Sequence, residues 1–398
     1  MTSLPTNTQQ RIKELDIFRG FAILGIFMVN ILVMNMSFAY RQEWEIEQTG
    51  WLNQATFFIL ESLFYSKFFA IFSFLFGIGI ALQLQIDNGK SVLFFVRRLS
   101  ALFLFGVLHI LFIWSGDILH LYALLGVPLL LLFKLPSKYI LWVAILIFLF
   151  PFFGPIMSYI LEVFSIQPEN ALNEFSKTEL IEMVRNGSYW SGLVLRVKEY
   201  IFTMPFVFAY IAPVAFSMML IGGYIVKKGY VFHLHDLAYK IRVPLLVTTG
   251  ILLIYRYTLI YYILPHHTPE WGSMLSIMLH TLYQLSDVTL SFTFLWALTI
   301  FYHLPSFRNA LVPLSYVGRL AFSNYILQSL FGYFLMRTLG FYASFSVFQC
   351  AILVLLFFSF QIILSKYYLN YFKFGPLEWL WRVISYWKWM SFRKKNLT

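Results

Sequence analysis

The chain is predicted to be an all-α, polytopic membrane bundle of about ten transmembrane helices, and three observations predict it. Hydrophobic residues make up 60% of the 398 positions and charged residues only 12%, where soluble domains run near half apolar and about a quarter charged. Apolar runs recur at the length of about 20 residues that a helix needs to cross a bilayer. Basic residues gather between alternate runs, as they do in short cytoplasmic loops.

The first run, 17–39, is too long for a signal-peptide core and has no small-residue cleavage site behind it, so it stays as a span. Residues 51–66 carry Glu61 and precede a full-length run, so they are expected to lie along the outer interface or enter partway. Further spans are expected at 67–85, 99–115, 117–134, 138–163, 203–226, 243–264, 275–302, 314–336 and 344–370. The segment 165–198 mixes Glu, Lys and Arg with Leu and Val, which reads as short extracytoplasmic surface helices whose final part caps a cavity. The tail 376–398 alternates Trp, Tyr and basic residues in the manner of an interfacial anchor. No repeat or soluble domain interrupts what reads as a single transmembrane domain, 1–398.

Charge sets the orientation. Arg11 and Lys13, then Lys90, Arg97 and Arg98, then Lys134 and Lys138, then Lys227, Lys228, Lys240 and Arg242, then Arg308, and finally Arg393, Lys394 and Lys395 occupy one set of connections, while Glu43, Glu45, Glu47 and Glu162 to Glu182 occupy the other. The N-terminal segment 1–16 and the C-terminal tail are therefore expected in the cytoplasm. The net charge of +11 is read as topological: membrane lipids are expected partners and nucleic acid is not, and a homodimer stays open. A single cysteine, Cys350, excludes an internal disulfide and a cysteine metal site. No metal is expected.

Polar residues inside apolar runs carry the functional argument, because an ionisable group at bilayer depth is costly and normally faces a protein interior or a wet cavity. The run from His109 to Tyr122 holds His109, Asp117 and His120. A His and Asp pair can act as general base and orienting carboxylate; metal binding is the weaker option, because no HxxxH or HExxH spacing is present. Asn30, Arg256 and the helical face His280, Gln284, Asp287 are expected at a similar outer depth. Glu61, Lys67 and Tyr122 complete the polar positions expected around this cavity. At the cytoplasmic ends, Asp16 and Arg19, Arg98, and Arg319 with Asn324 and Gln328 form a second set, and guanidinium groups there suit bidentate phosphate recognition. Each has a plainer reading: positive-inside anchors for the arginines, an ion pair for Asp16 and Arg19, helix-to-helix hydrogen bonds for Asn324 and Gln328. His266 and His267, beside Pro265, are expected to be solvent-exposed.

The opening LDIFRGFAILGIFMVN, the block LHILFIWSGDILHLYALLG, the run MMLIGG, GRLAFSNYILQSL and the closing FGPLEWLWR resemble the YeiB-like bacterial membrane proteins, known as domain of unknown function 418. The resemblance covers nearly the whole chain and implies a multi-pass protein of the bacterial cell membrane. The first span also resembles a wider superfamily of transmembrane acyltransferases, including the acyltransferase-3 and heparan-glucosaminide acetyltransferase types, which move an acyl group from cytosolic acyl-CoA to an acceptor on the far side. Arg19 matches the superfamily's first-span arginine. Asn30 stands where acyltransferase-3 enzymes have their histidine, and Tyr40 to Phe69 holds no histidine of the heparan type. The preferred expectation gives acyl-CoA phosphates to Arg19, Arg98 and Arg319, and deprotonation of a small-molecule or glycan acceptor to His109 oriented by Asp117. The rival expectation is a permease in which the same groups bind a solute or carry protons.

Overall fold

The computed structural model describes residues 11–86, 92–267, 269 and 273–394; Lys90, Lys395 and the first ten residues, used above for orientation, lie outside them. Among the described residues there are helices and one isolated β-bridge, Phe372 to Arg393, and no strand. In chain order the helices are α1 (Lys13–Asn35), α2 (Arg41–Glu47), α3 (Trp51–Leu63), α4 (Lys67–Ile86), α5 (Val92–Phe112), α6 (Leu119–Leu132), α7 (Ser137–Leu149), α8 (Phe153–Val163), α9 (Asn170–Asn173), α10 (Lys177–Asn186), α11 (Tyr189–Phe206), α12 (Ala212–Lys227), α13 (Leu234–Thr258), α14 (Met274–His303), α15 (Pro305–Arg319), α16 (Ala321–Tyr333), α17 (Val347–Tyr371) and α18 (Pro376–Tyr386). Seven helical stretches among these residues are long and apolar enough to cross a membrane, or eight with one bent pair counted. The protein is a multi-pass membrane bundle.

Five expected elements change in detail. The span at 138–163 is broken into α7 and α8, bent by 65°, at Phe150–Pro151–Phe152, where proline removes a backbone donor. The span at 203–226 is the inner part of a helix that starts at Tyr189 and runs 39 residues through a π-helical turn, Val207–Ile211. The span at 314–336 is divided at Leu320, between α15 and α16. The helix expected from 117 starts at Leu119 and holds 14 residues. Finally, α3 joins α4 in a 35-residue apolar stretch, Trp51–Gln85.

Residues packed at the start of α1 belong to one large core, and residues from Phe27 to Met36 to a second. The second core also takes Leu172, Leu180 and Leu195 from α9, α10 and α11, so these helices close over the end of the bundle where α1 finishes. Lys177 holds them to Glu43 at 3.0 Å and Glu47 at 2.7 Å, and Arg185 donates to the Tyr342 carbonyl at 2.8 Å. At the other end, Gly318 of α15 lies against the Asp16 carbonyl and Gly20 of α1 against that of Leu314. Any β-carbon at either position would meet backbone, so the glycines of the opening and ninth-span motifs are a helix contact.

Candidate functional site

The site grows from the connection between α5 and α6. Asp117 lies there, outside both helices, and its carboxylate is shared by two imidazoles: Oδ2 is 2.9 Å from His109 Nδ1 and Oδ1 is 3.0 Å from His120 Nδ1. Oδ1 also accepts the His120 backbone N–H at 3.0 Å, which caps the start of α6 with a negative charge. All three residues are 5% exposed or less. The turn approaches α5 this closely because Gly106, one turn before His109, presents no side chain to His120 N and Asp117 Oδ1.

With Nδ1 of each ring donating to Asp117, the lone pair of each Nε2 is free to accept. His120 Nε2 receives the Tyr200 hydroxyl of α11 at 3.0 Å. His109 Nε2 is buried and has no hydrogen-bond partner; its ring lies 5.4 Å from Tyr325 of α16 and 6.4 Å, edge-on, from Trp114. Burial disfavours the charged form of Asp117, but the hydrogen bonds from His109 and His120 outweigh it and hold the carboxyl below its ordinary range. Next to Tyr200, Glu199 accepts from Ser115 at 2.8 Å, and Arg196 donates to the Leu111 carbonyl at 2.8 Å. Trp114, Arg196 and Glu199 line a small cavity of about 70 Å³ under the closing helices. The capping role expected of 165–198 thus falls on Arg196 and its neighbours, and Glu199 and Tyr200 lie just past the expected boundary.

A second constellation occupies the opposite end, the basic face. Asp16 accepts from Arg11 at 2.5 Å and from Arg19 at 3.1 Å. Arg98 stacks on Trp381 of α18 at 3.6 Å, and the Trp381 indole donates to the Arg98 carbonyl at 2.8 Å. Arg98 feels the charges of Arg382 and Arg19, Arg382 those of Arg11 and Arg19, and Arg319 that of Arg11. The expected trio Arg19, Arg98 and Arg319 therefore belongs to one cluster of like charges with Arg11 and Arg382. Glu378, the nearest other carboxylate of α18, is used to cap α16, accepting from Phe322 N at 2.8 Å and Ser323 N at 3.1 Å; burial pushes its carboxyl up.

The expected single outer chamber does not form. Asp287 leaves the His280 and Gln284 face to meet Lys67 at 2.7 Å and Arg256, and Arg256 also reaches Glu61 at 3.1 Å. Tyr283, missed in the sequence, donates to Glu61 at 2.6 Å. His280 and Gln284 pair with each other at 3.0 Å in a separate pocket. Asn30 is half-buried and forms no side-chain hydrogen bond with the cluster. Tyr122 bonds Ser73 at 2.6 Å within the core. Asn324 and Gln328 both bond Gln361 of α17, at 3.1 and 2.9 Å, which bears out their plainer reading. His266 and His267 are exposed.

The family model described as "Protein of unknown function (DUF418)" matches residues 225–388. The chain is 28% identical to "Uncharacterized protein YxaH" of Bacillus subtilis (strain 168) across 100% of both chains. It is 26% identical to "Uncharacterized protein YeiB" of Escherichia coli (strain K12) over 94% of this chain and 96% of the other. Over residues 225–388 the chain is similar to the DUF418 family. An "Uncharacterized 39.9 kDa protein in amylase 3'region" of Bacillus acidopullulyticus is 27% identical over 96% of each chain. No solved structure matches this chain.

Proposed function

We propose that this protein is a transmembrane acyltransferase that uses cytosolic acyl-CoA and acylates a hydroxyl or amine acceptor from the far side. The observation that carries the reading is the pairing of His109 Nδ1 with Asp117 while Nε2 stays buried and unpaired. That is the arrangement of a general base whose tautomer is fixed by a carboxylate. Nε2 of His109 would take the proton of the acceptor; the acceptor atom attacks the thioester carbonyl, the C–S bond breaks, and the leaving thiolate receives that proton. The cluster of Arg11, Arg19, Arg98, Arg319 and Arg382 would hold the donor's phosphates. Arg98 and His109 stand on the same helix eleven residues apart, about 16 Å at the helical rise, a span suited to an extended donor arm. Phe105 and Phe322 pack between these levels, with ring centroids 5.4 Å apart, so the arm must part them.

The test is binding and transfer by protein in nanodiscs. The reading predicts that acyl-CoA binds, that Arg98→Ala weakens binding, and that His109→Ala binds normally but loses transfer by a factor on the order of 10² to 10⁴. Normal transfer by His109→Ala contradicts it. Solute transport is supported by a different observation, the broken pair α7 and α8 beside a π-helical turn, since discontinuous helices often carry transporter sites. Substrate accumulation in proteoliposomes without acyl-CoA would favour that reading.

A further inference from the structure

A further cavity lies away from both constellations. It holds about 310 Å³ and is lined where two irregularities, the 65° break between α7 and α8 and the π-helical turn at Val207–Ile211, meet the first three turns of α14. Space opens there because α8 turns away from the bundle, and because the π turn, with Pro213 just beyond it, shifts the register of the long helix. Tyr210 of the π turn faces His280 of α14, ring centroids 5.2 Å apart, and His280 Nε2 meets the Gln284 amide at 3.0 Å. None of the sixteen lining residues is Lys, Arg, Asp or Glu. Much of the lining is aromatic or proline, with Phe148, Phe153 and Pro155 among its members.

Exposed apolar residues flank the cavity on both helices. On α8, Ile156 is 45% exposed and Tyr159 66%; on α14, Met278 is 56% exposed. Apolar flanks of this kind on a membrane-spanning bundle face lipid chains. His280 lies six residues inside the start of α14, about 9 Å along its axis, a depth near the headgroup boundary. An imidazole, an amide and a phenol gathered there need hydrogen-bonding company that hydrocarbon cannot give.

We infer that this cavity is a lateral lipid-binding site that takes an amphiphile with an apolar chain and an uncharged, hydrogen-bonding head such as a hydroxyl. The chain lies against the phenylalanines and prolines, and the head meets His280, Gln284 and Tyr210. A carboxylate or phosphate head finds no cation among the lining residues. The site does not depend on the acyltransferase reading: Tyr210 is ten residues along the helix from Tyr200, about 15 Å from the histidine cluster.

The test uses the full chain in phosphatidylcholine nanodiscs with a photoactivatable long-chain alcohol. Labelling should concentrate on peptides covering 148–158 and 207–214, saturate with probe concentration and be competed by unlabelled alcohol. The matched fatty acid should label at least tenfold less. Ala209→Phe, which fills the cavity, should reduce labelling at least tenfold, and the pair His280→Ala with Gln284→Ala, which only removes atoms, should reduce it at least threefold. Labelling that never saturates and is unchanged in both variants would overturn the site as ordinary contact with bulk lipid. Equal labelling by alcohol and acid would overturn the uncharged-head assignment.

Discussion

Two buried charge clusters in this molecule contain arginines at helix ends, and they differ in their balance. Around Arg256, two cations, Lys67 and Arg256, meet two carboxylates, Glu61 and Asp287. The Lys67, Arg256 and Asp287 side chains are 0, 1 and 4% exposed, and the cluster ties the α3–α4 junction to α13 and α14. On the basic face Asp16 pairs with Arg11 and Arg19, while Arg98, Arg319 and Arg382 lie within reach of those arginines' charges; Arg19, Arg98, Arg319 and Arg382 are half-buried. A neutral, enclosed network has no charge left for a ligand and acts as a structural tie. An open surplus of guanidinium groups repels itself until an anion arrives. Charge balance, more than burial, separates the two clusters.

The comparison breaks first at Arg256. Arg256→Ala leaves buried Asp287 with Lys67 as its one remaining cation and Glu61 with only the Tyr283 hydroxyl, and should cost about 3 kcal/mol, seen as loss of monodisperse protein or a large drop in unfolding temperature in detergent. An unchanged unfolding temperature would mean the network is not the tie described.

Gly106→Ala comes next. A β-carbon there overlaps the His120 backbone N–H and the Asp117 carboxylate, so the variant should lose about 1–3 kcal/mol and transfer together. Arg382→Gln gives the opposite sign on stability: relieving like-charge repulsion should leave the unfolding temperature level or raise it by the equivalent of roughly 0–1 kcal/mol. Its affinity for a phosphate-bearing ligand should fall about tenfold, the worth of about 1.4 kcal/mol. A large loss of stability in Arg382→Gln would place this cluster with the structural one.

The smallest effect is in pH. Asp117 is held below the ordinary carboxylate range, so its stabilising contribution is complete above about pH 3.9 and disappears as pH falls through the lower folded value. Thermal unfolding followed from pH 6 down to 3 should show this acid slope in the wild type. Asp117→Asn should lack it.

Much of the site was readable because ionisable residues stand out in apolar surroundings. His109, Asp117 and His120 lie within twelve residues, so the chain itself keeps them close and their contact needs no knowledge of the fold. Tyr200 joins them from eighty residues away, and hydrophobic periodicity gives a residue's face but not the helix opposite it. The same limit explains Asp287, whose spacing with His280 and Gln284 was correct along α14 while its partners, on α4 and α13, were not legible. Gly106 offered a signal, a glycine on the face of His109 one turn earlier. Gln361, an amide in the middle of the apolar α17, offered another. Breaks in the helices were readable only where proline marked them, as at Pro151; the division at Leu320 has no proline or glycine at its centre.

The most direct measurement is the release of coenzyme A thiol from acyl-CoA by protein in nanodiscs, followed alongside calorimetric binding in wild type and His109→Gln. The account predicts equal binding by both and thiol release by the wild type alone. Equal release from the two proteins, or no acyl-CoA binding by the wild type, would contradict it.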